Sequence, residues 1–269
     1  MLTMDCDIIK DDLLKNISER FNIDYDLLLE ELNKIKITKH TKSKYSCDNN
    51  FFSRDNELSF YWAGFLAADG CLFKKINTKT INLYISDKDE GHLRLFKNHV
   101  NYNGIIRRSM TRRDNPNWKD TTQCGMVISS AEMFNDLGRF NLKPNKSLIY
   151  EFPEHLKNHE YIHHFIRGYI DGDGCFYFDA SRNRVCFELR GTNNCMQNIL
   201  DIFGEQCGIK HESNVTKPDA TSKIKLSGKK YMFKLVDYLY KDATIFLQRK
   251  YDIAKLCYDI GKRKNKVHK

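Results

Sequence analysis

Asp69 and Asp173 stand in the same short pattern. WAGFLAADGCLF at 62–73 and IRGYIDGDGCFY at 166–177 share G-x-x-x-x-D-G-C followed by two apolar residues. A single Asp-Gly would read as a turn. Twice, at the end of an apolar stretch, it asks for another explanation, because a carboxylate in the last turn of a helix faces the negative end of the macrodipole. Two such acids brought together would repel, and a divalent cation would relieve that cost. Hard oxygen ligands suit Mg²⁺, which keeps several waters and binds through one or two carboxylates plus substrate phosphate. Paired, symmetry-related acids near a bound metal suit hydrolysis of two phosphodiesters, one on each strand of a duplex.

The two motifs lie 104 residues apart, and the register persists beyond them. INLYISDKDEGHLRLF at 81–96 lies over VCFELRGTNNCMQNIL at 185–200 without a gap. Lys146 and Lys250 are again 104 apart, each 77 residues beyond its own aspartate. A repeat of this length indicates two copies of one structural unit.

The elements that must position these residues follow from the periodicities. In the first half the motif helix leads to strands near 71–76 and 80–86, a helix near 89–100, strands near 104–111 and 121–129, and a helix near 130–139. The second half repeats this with strands near 175–180, 184–191, 212–217 and 222–227 and helices near 193–207, 229–240 and 243–258. Antiparallel hairpins beside helices make the fold class α+β. Each motif reads as a helix ended by a glycine, Gly70 or Gly174, able to take the left-handed C-terminal position. Gly64 and Ala68, like Gly168 and Gly172, place a stripe of small residues on one helix face. The stripe occurs once per half, so the two motif helices are expected to pack closely about a pseudo-twofold axis and set Asp69 beside Asp173.

The strands alternate. Leu83 and Ile85 are interleaved with Asn82, Tyr84 and Ser86, and Val185, Phe187 and Leu189 with Arg184, Cys186, Glu188 and Arg190. One face is apolar and the other polar and partly basic, as for a sheet packed on helices with its open face on nucleic acid. Lys223 and Lys225 alternate in the same sense, and Arg182 borders the second hairpin.

Of 269 residues, 41% are apolar and 29% charged, with a net charge of +9. This is the composition of a soluble globular protein with a polyanionic partner. Basic residues cluster at Arg107, Arg108, Arg112 and Arg113, at Lys262, Arg263, Lys264, Lys266 and Lys269, and along Lys34–Lys44. The longest nearly uncharged apolar stretch is about half the ~20 residues that span a bilayer, and the amino terminus lacks a signal peptide's basic start. The expectation is an intracellular protein with no membrane association, its compartment (bacterial or phage-infected cytoplasm, or an organelle) left open. Nine scattered cysteines show no metal-binding spacing and are expected reduced.

The two motifs resemble those of the LAGLIDADG homing endonucleases, in the monomeric form with two motifs per chain. The consensus lines up with 62–70 and 166–174, and the resemblance covers roughly 55–258. It implies two αββαββα halves related by a pseudo-twofold axis, their antiparallel sheets forming a saddle over double-stranded DNA with a long, imperfectly palindromic target. The active-site acids fall on Asp69 and Asp173, which would bind Mg²⁺ (or Mn²⁺ in its place) with the backbone of Gly70 and Gly174. They would cut both strands across the minor groove, leaving 3′-hydroxyl and 5′-phosphate ends. Lys146 and Lys250 are the candidates for the basic residue near each acid. The DNA-contacting set would be Asn82, Tyr84, Ser86, Arg107, Arg108, Arg112, Arg113, Arg182, Arg184, Glu188, Arg190, Lys223 and Lys225. The alternative is a non-catalytic binder of the same fold, an intron RNA maturase or a DNA-binding regulator. Two departures stand out. Arg167 replaces a small motif residue and must point away from the helix interface or bind a partner. The sixth motif position is Ala67 in one half and Asp171 in the other, the latter read as solvent-facing or capping.

The expected division is a helical appendage with a basic arm at 1–54, the first half at 55–158, the second at 159–258 and a basic tail at 259–269. Within the appendage, DDLLKNISERFNIDYDLLLEELNKI reads as two short helices separated at FNID. His163 and His164 have no ligand partner at recognisable spacing and read as core or surface histidines.

Overall fold

The computed structural model describes residues 14–30, 44–76, 78–111, 120–182, 184–209 and 221–263. The chain forms two compact units, Met1–Ser43 and Lys44–Lys269. In the smaller unit, 14–21 and 25–30 are helical on either side of Asn22, whose φ of 51° breaks the run. The Asp24 carboxylate accepts from the Leu27 N–H at 3.0 Å and caps the second helix. These are the two helices expected on either side of FNID.

The larger unit starts earlier than residue 55. Residues 44–54 are tied to it by the Asp48 N–H donating to the Val100 carbonyl at 2.8 Å, and Phe51 and Phe52 enter its core. Its centre is a pair of helices, α1 (Glu57–Asp69) and α4 (Ile162–Asp173), with α2 (Glu90–His99) and α3 (Ala131–Asp136) between them in sequence. Asn56 caps α1 by accepting from the Ser59 N–H at 2.9 Å. Phe60, Tyr61, Trp62, Phe65 and Leu66 are all buried, so α1 has no polar face and belongs in the middle of a fold. α4 is buried over the same stretch, Arg167 included.

The first sheet has the order β1 (Gly70–Lys75), β2 (Thr78–Ser86), β4 (Thr121–Ser129), β3 (Arg107–Thr111), all neighbours antiparallel. The second comprises β5 (Cys175–Asp179), β6 (Arg184–Thr192) and β7 (Thr221–Ser227) in that order. The strand expected near 212–217 lies outside the described residues. Ile81, Leu83 and Ile85, with Val185, Phe187 and Leu189, turn into the core as the alternation requires. α5 (Asn193–Cys207) is capped by the Thr192 hydroxyl and ends at Gly208, which adopts φ 60°. α6 (Lys229–Tyr240) and α7 (Gln248–Arg263) complete the unit. Among the described residues no helix is long and apolar enough to cross a membrane.

The architecture is α+β with two antiparallel sheets, as expected. The repeat is not carried through every pairing, however. Gly70 faces Leu83 in the first hairpin, whereas Cys175 faces Glu188 in the second, a slip of two residues from the 104-residue offset. A slip of two preserves which side chains share a face, so the core pattern survives it.

Candidate active site and nucleic-acid face

The stripe of small residues does bring the motif helices together. A Cβ on Gly64 would lie 1.9 Å from the Phe165 carbonyl oxygen, and one on Gly168 the same distance from that of Tyr61. Lower in the seam, a Cβ on Gly172 would meet the Ala68 Cβ at 2.3 Å and Asp69 Oδ2 at 3.4 Å. Backbones this close leave the two C-terminal ends, with Asp69 and Asp173, side by side.

Gly70 and Gly174 do not take the left-handed conformation. Their φ values are −77° and −87°, in extended backbone. Glycine is required for another reason: each chain turns from helix into strand so sharply that a Cβ would lie 2.7 Å from the carbonyl oxygen of Leu66 or Ile170. The turn aims each preceding aspartate outward, and both are exposed to solvent.

The protein around these acids still limits their hydration. Desolvation, followed by the Asp173 charge, raises the Asp69 pKa to about 6. Desolvation raises Asp173 as well, with Lys146 and Lys250 opposing. Both lysines are buried, at 5% and 7% exposure, and burial lowers their pKa values against the attraction of the aspartates. Lys146 Nζ donates to the Ala68 carbonyl at 3.3 Å; Lys250 Nζ donates to those of Gly172 and Ile170 at 2.8 and 3.1 Å. Ala68 and Gly172 are repeat equivalents, so each lysine holds its own motif helix one residue before the acid. Lys146 lies in a 3₁₀ turn, Lys146–Leu148, and Lys250 in the first turn of α7.

A cleft of about 270 Å³ opens beside Asp69, lined by residues of both halves including Tyr84, Asp89, Asp171 and Arg249. Arg249 crosses from α7 to grip the Asp89 carboxylate with three contacts of 2.8–3.1 Å. Asp171, read from sequence as solvent-facing or capping, is 1% exposed and accepts at 2.8 Å from both the Tyr61 hydroxyl and the Leu247 N–H. It is therefore not solvent-facing; it binds the backbone at the start of α7.

The open face of the second sheet carries Arg184, Glu188, Arg190, Lys223 and Lys225 together, since residues opposite one another in an antiparallel pair share a face. Glu188 collects Lys225 at 3.0 Å, Lys223 at 3.5 Å and the Tyr177 hydroxyl at 2.9 Å, a prearranged polar network. Arg182 is exposed in the adjoining turn, its N–H donating to Asp179. On the first sheet Asn82, Tyr84, Ser86 and Arg107 share the open face, Tyr84 lying over Gly125. Asn82 Oδ1 is buried with no hydrogen-bond partner among the described residues. Arg108 does not belong to that face. It stands opposite buried Cys124 and pairs with Glu90 at the start of α2, because neighbouring strand residues point to opposite sides. Arg112 and Arg113 lie outside the described residues.

No family model and no curated relative matches the sequence. Solved structures do match. The LAGLIDADG homing endonuclease I-GzeII in complex with its DNA target superposes with a TM-score of 0.51 at 14% identity, covering 80% of this chain and 93% of that one. The LAGLIDADG meganuclease I-CpaMI bound to uncleaved DNA gives 0.50 at 11% identity, with 80% and 95% covered. Meganuclease I-SmaMI bound to uncleavable DNA with a TTGT central four gives 0.51 at 11%, with 80% and 92% covered. The chain has the LAGLIDADG homing-endonuclease fold.

Within this fold, the buried Arg167 reaches from α4 across to α1, its guanidinium 5.4 Å from the centre of the Tyr61 ring. Its guanidinium pairs with Glu57 at 2.6 Å and donates to the carbonyls of Leu239 and Ile245 at 2.8 and 3.0 Å. It also donates to His164 Nδ1 at 2.7 Å. His163, His164 and Asp242 bring ligand atoms within 4.8 Å of one another, a cluster that spacing along the chain does not show. Arg167 has no acceptor atom, so His164 Nδ1 must accept and its Nε2 carries the proton. That leaves His164 without a free lone pair for a metal. Burial, then the Arg167 charge, pushes the His164 pKa down to about 4, which keeps the ring neutral. Sequence reasoning missed the Arg249–Asp89 clamp because the repeat equivalents of this pair are Asn145 and Asn193, so the duplication carries no trace of it.

Proposed function

We propose that this chain is a site-specific double-strand DNA endonuclease of the homing type, acting as a monomer with Mg²⁺ and hydrolysing one phosphodiester on each strand of a long asymmetric target. The observation that supports this most is the convergence of Asp69 and Asp173 from the two halves, each beside a buried lysine, at the junction of two sheets with polar open faces. A protein that only binds nucleic acid gains nothing from two acids held where each raises the other's energy.

The donor set fits a hard divalent ion. Both acids are oxygen ligands whose ionised forms are disfavoured by the limited hydration beside the surrounding protein, and Asp69 further by the charge of its partner. Asp69 and Asp173 would hold the metal, with the backbone of Gly70 and Gly174 nearby, and the metal would supply charge neutralisation and a more acidic bound water. The chain's own residues do the rest. The glycine seam fixes the separation of the two acids, and Lys146 and Lys250 place positive charge where the phosphate becomes more negative. Lys223, Lys225, Arg184 and Arg190 hold the duplex against the second sheet.

Incubating the protein with Mg²⁺ and a large randomised duplex library, then sequencing the new ends, tests this reading. It predicts ends clustered at one long site and absent with EDTA. Tight binding of duplex or intron RNA without new ends would instead support a regulator or a maturase.

On the same target, Lys146→Ala and Lys250→Ala should each slow cleavage by about a hundredfold while weakening duplex binding far less. Single-turnover rates set against binding isotherms check this; equal losses in both would make the lysines ordinary phosphate contacts. Acid should also inhibit. An aspartate with a pKa of about 6 loses its charge, and so its hold on a cation, as the pH falls through that value. At subsaturating Mg²⁺ the rate should therefore drop below about pH 6, and raising Mg²⁺ should move the drop to lower pH.

A further inference from the structure

We propose that Asp171 is a positioning residue that sets Lys250, and not Lys146, at the active site, so that its loss slows the cutting of one strand more than the other. This rests on the endonuclease reading above. Asp171 occupies the sixth position of the second motif, where the first has Ala67. A buried carboxylate is a costly choice at a site that an apolar residue could fill. What it does there is specific. Asp171 Oδ2 binds the Tyr61 hydroxyl of α1 and the Leu247 N–H, both at 2.8 Å. Leu247 immediately precedes α7, and its carbonyl accepts from the N–H groups of Lys250 and Tyr251 at 2.9 and 3.0 Å. Anchoring that residue fixes the first helical turn, where Lys250 lies.

Lys250 then returns to the helix that anchors it. Its ammonium donates to the Gly172 and Ile170 carbonyls on either side of Asp171. The loop is closed within the second half: α4 holds the start of α7 through Asp171, and α7 delivers its lysine to the Gly172 carbonyl, one residue before Asp173 in the chain. Among the described residues nothing equivalent exists in the first half. Lys146 follows Asn145, which adopts φ 59°, and its ammonium makes a 3.3 Å bond to Ala68. The two lysines are held by different devices, and only one of them depends on an acid.

A supercoiled plasmid carrying the site recovered by the library selection separates the two strands, because nicked circles reveal which strand is cut first. The expected result for Asp171→Asn is slowing of one strand by about tenfold or more relative to the other. That strand should be the one slowed by Lys250→Ala and the opposite of the one slowed by Lys146→Ala, with duplex affinity unchanged. Tyr61→Phe removes one partner of the carboxylate without changing the shape of the core, and should give a smaller bias of the same sign even if Asp171→Asn folds poorly. Equal slowing of both strands, a bias matching Lys146→Ala, or no slowing would overturn the assignment. A wild-type protein that yields no site and cuts neither strand would overturn the endonuclease reading and this proposal with it.

Discussion

Asp69→Asn and Asp173→Asn are each expected to lower double-strand cleavage by about a thousandfold or more, to leave duplex binding intact, and to make the protein more stable at neutral pH. The combination distinguishes an active-site acid from a structural one. The stability change follows from the raised pKa of Asp69, about 6 against an ordinary 3.8. A folded-state pKa above the unfolded value means that folding disfavours the ionised carboxyl. The penalty is full above about pH 6, fades as the pH falls and is gone below about pH 4. Asparagine removes the charge, so Asp69→Asn should gain about 1 kcal/mol at pH 7.5 once solvent screening of this exposed group is allowed for. In a domain of this size that is a rise of about 2–4 °C in Tm, vanishing near pH 4. Thermal unfolding at the two pH values checks the sign. A loss of stability at pH 7.5 would mean that the carboxylate is held in place by the fold, and that its role is structural.

Gly168→Ala is expected to cost about 3 kcal/mol or more, enough to unfold a marginally stable domain at 37 °C. The added methyl would start 1.9 Å from the Tyr61 carbonyl oxygen, and the obstacle is backbone on the facing helix. Relief requires the two motif helices to move apart, which would also separate Asp69 from Asp173. Gly91→Ala is the control. Gly91 is exposed within α2 and a Cβ there meets nothing within 4 Å. Alanine should therefore stabilise it by up to about 1 kcal/mol through helix propensity. Denaturant titration of the two variants side by side measures the difference; comparable effects would show that the seam is looser than its geometry implies.

Much of this was legible in the sequence because it is duplicated. The pairing of Gly64 with Gly168, of Asp69 with Asp173 and of Lys146 with Lys250 follows from one offset, and the structure brings each pair to one place. The helices at 193–207 and 229–240 also lie where the periodicity puts them, since a strong apolar stripe fixes a helix with little help from the rest of the fold. What the sequence hid is what the halves do not share. Asp171 reads as solvent-facing or capping because nothing local shows that Tyr61, 110 residues earlier, and the start of α7 close over it. Gly70 and Gly174 were assigned to a positive φ when the reason was a tight approach to the preceding helical turn. A run of arginines looks uniformly basic, yet strand alternation sends Arg107 to the open face and Arg108 to Glu90. Residues 44–54 read as part of the N-terminal appendage with its basic arm, although Phe51 and Phe52 are core residues. The misses at Asp171 and at Phe51 and Phe52 concern contacts made at long range, which neither periodicity nor repetition encodes.

The most direct test of the central claim, that the two converging aspartates form one centre for cutting both strands, is a side-by-side selection. The wild-type chain and the Asp69→Asn/Asp173→Asn double variant would be given the same duplex library with Mg²⁺, with bound and cleaved molecules sequenced separately. The account predicts that both proteins enrich one long site among bound molecules, and that only the wild type leaves paired ends on both strands within it. Paired ends from the double variant, or a wild type that enriches the site and never cuts it, would contradict the account.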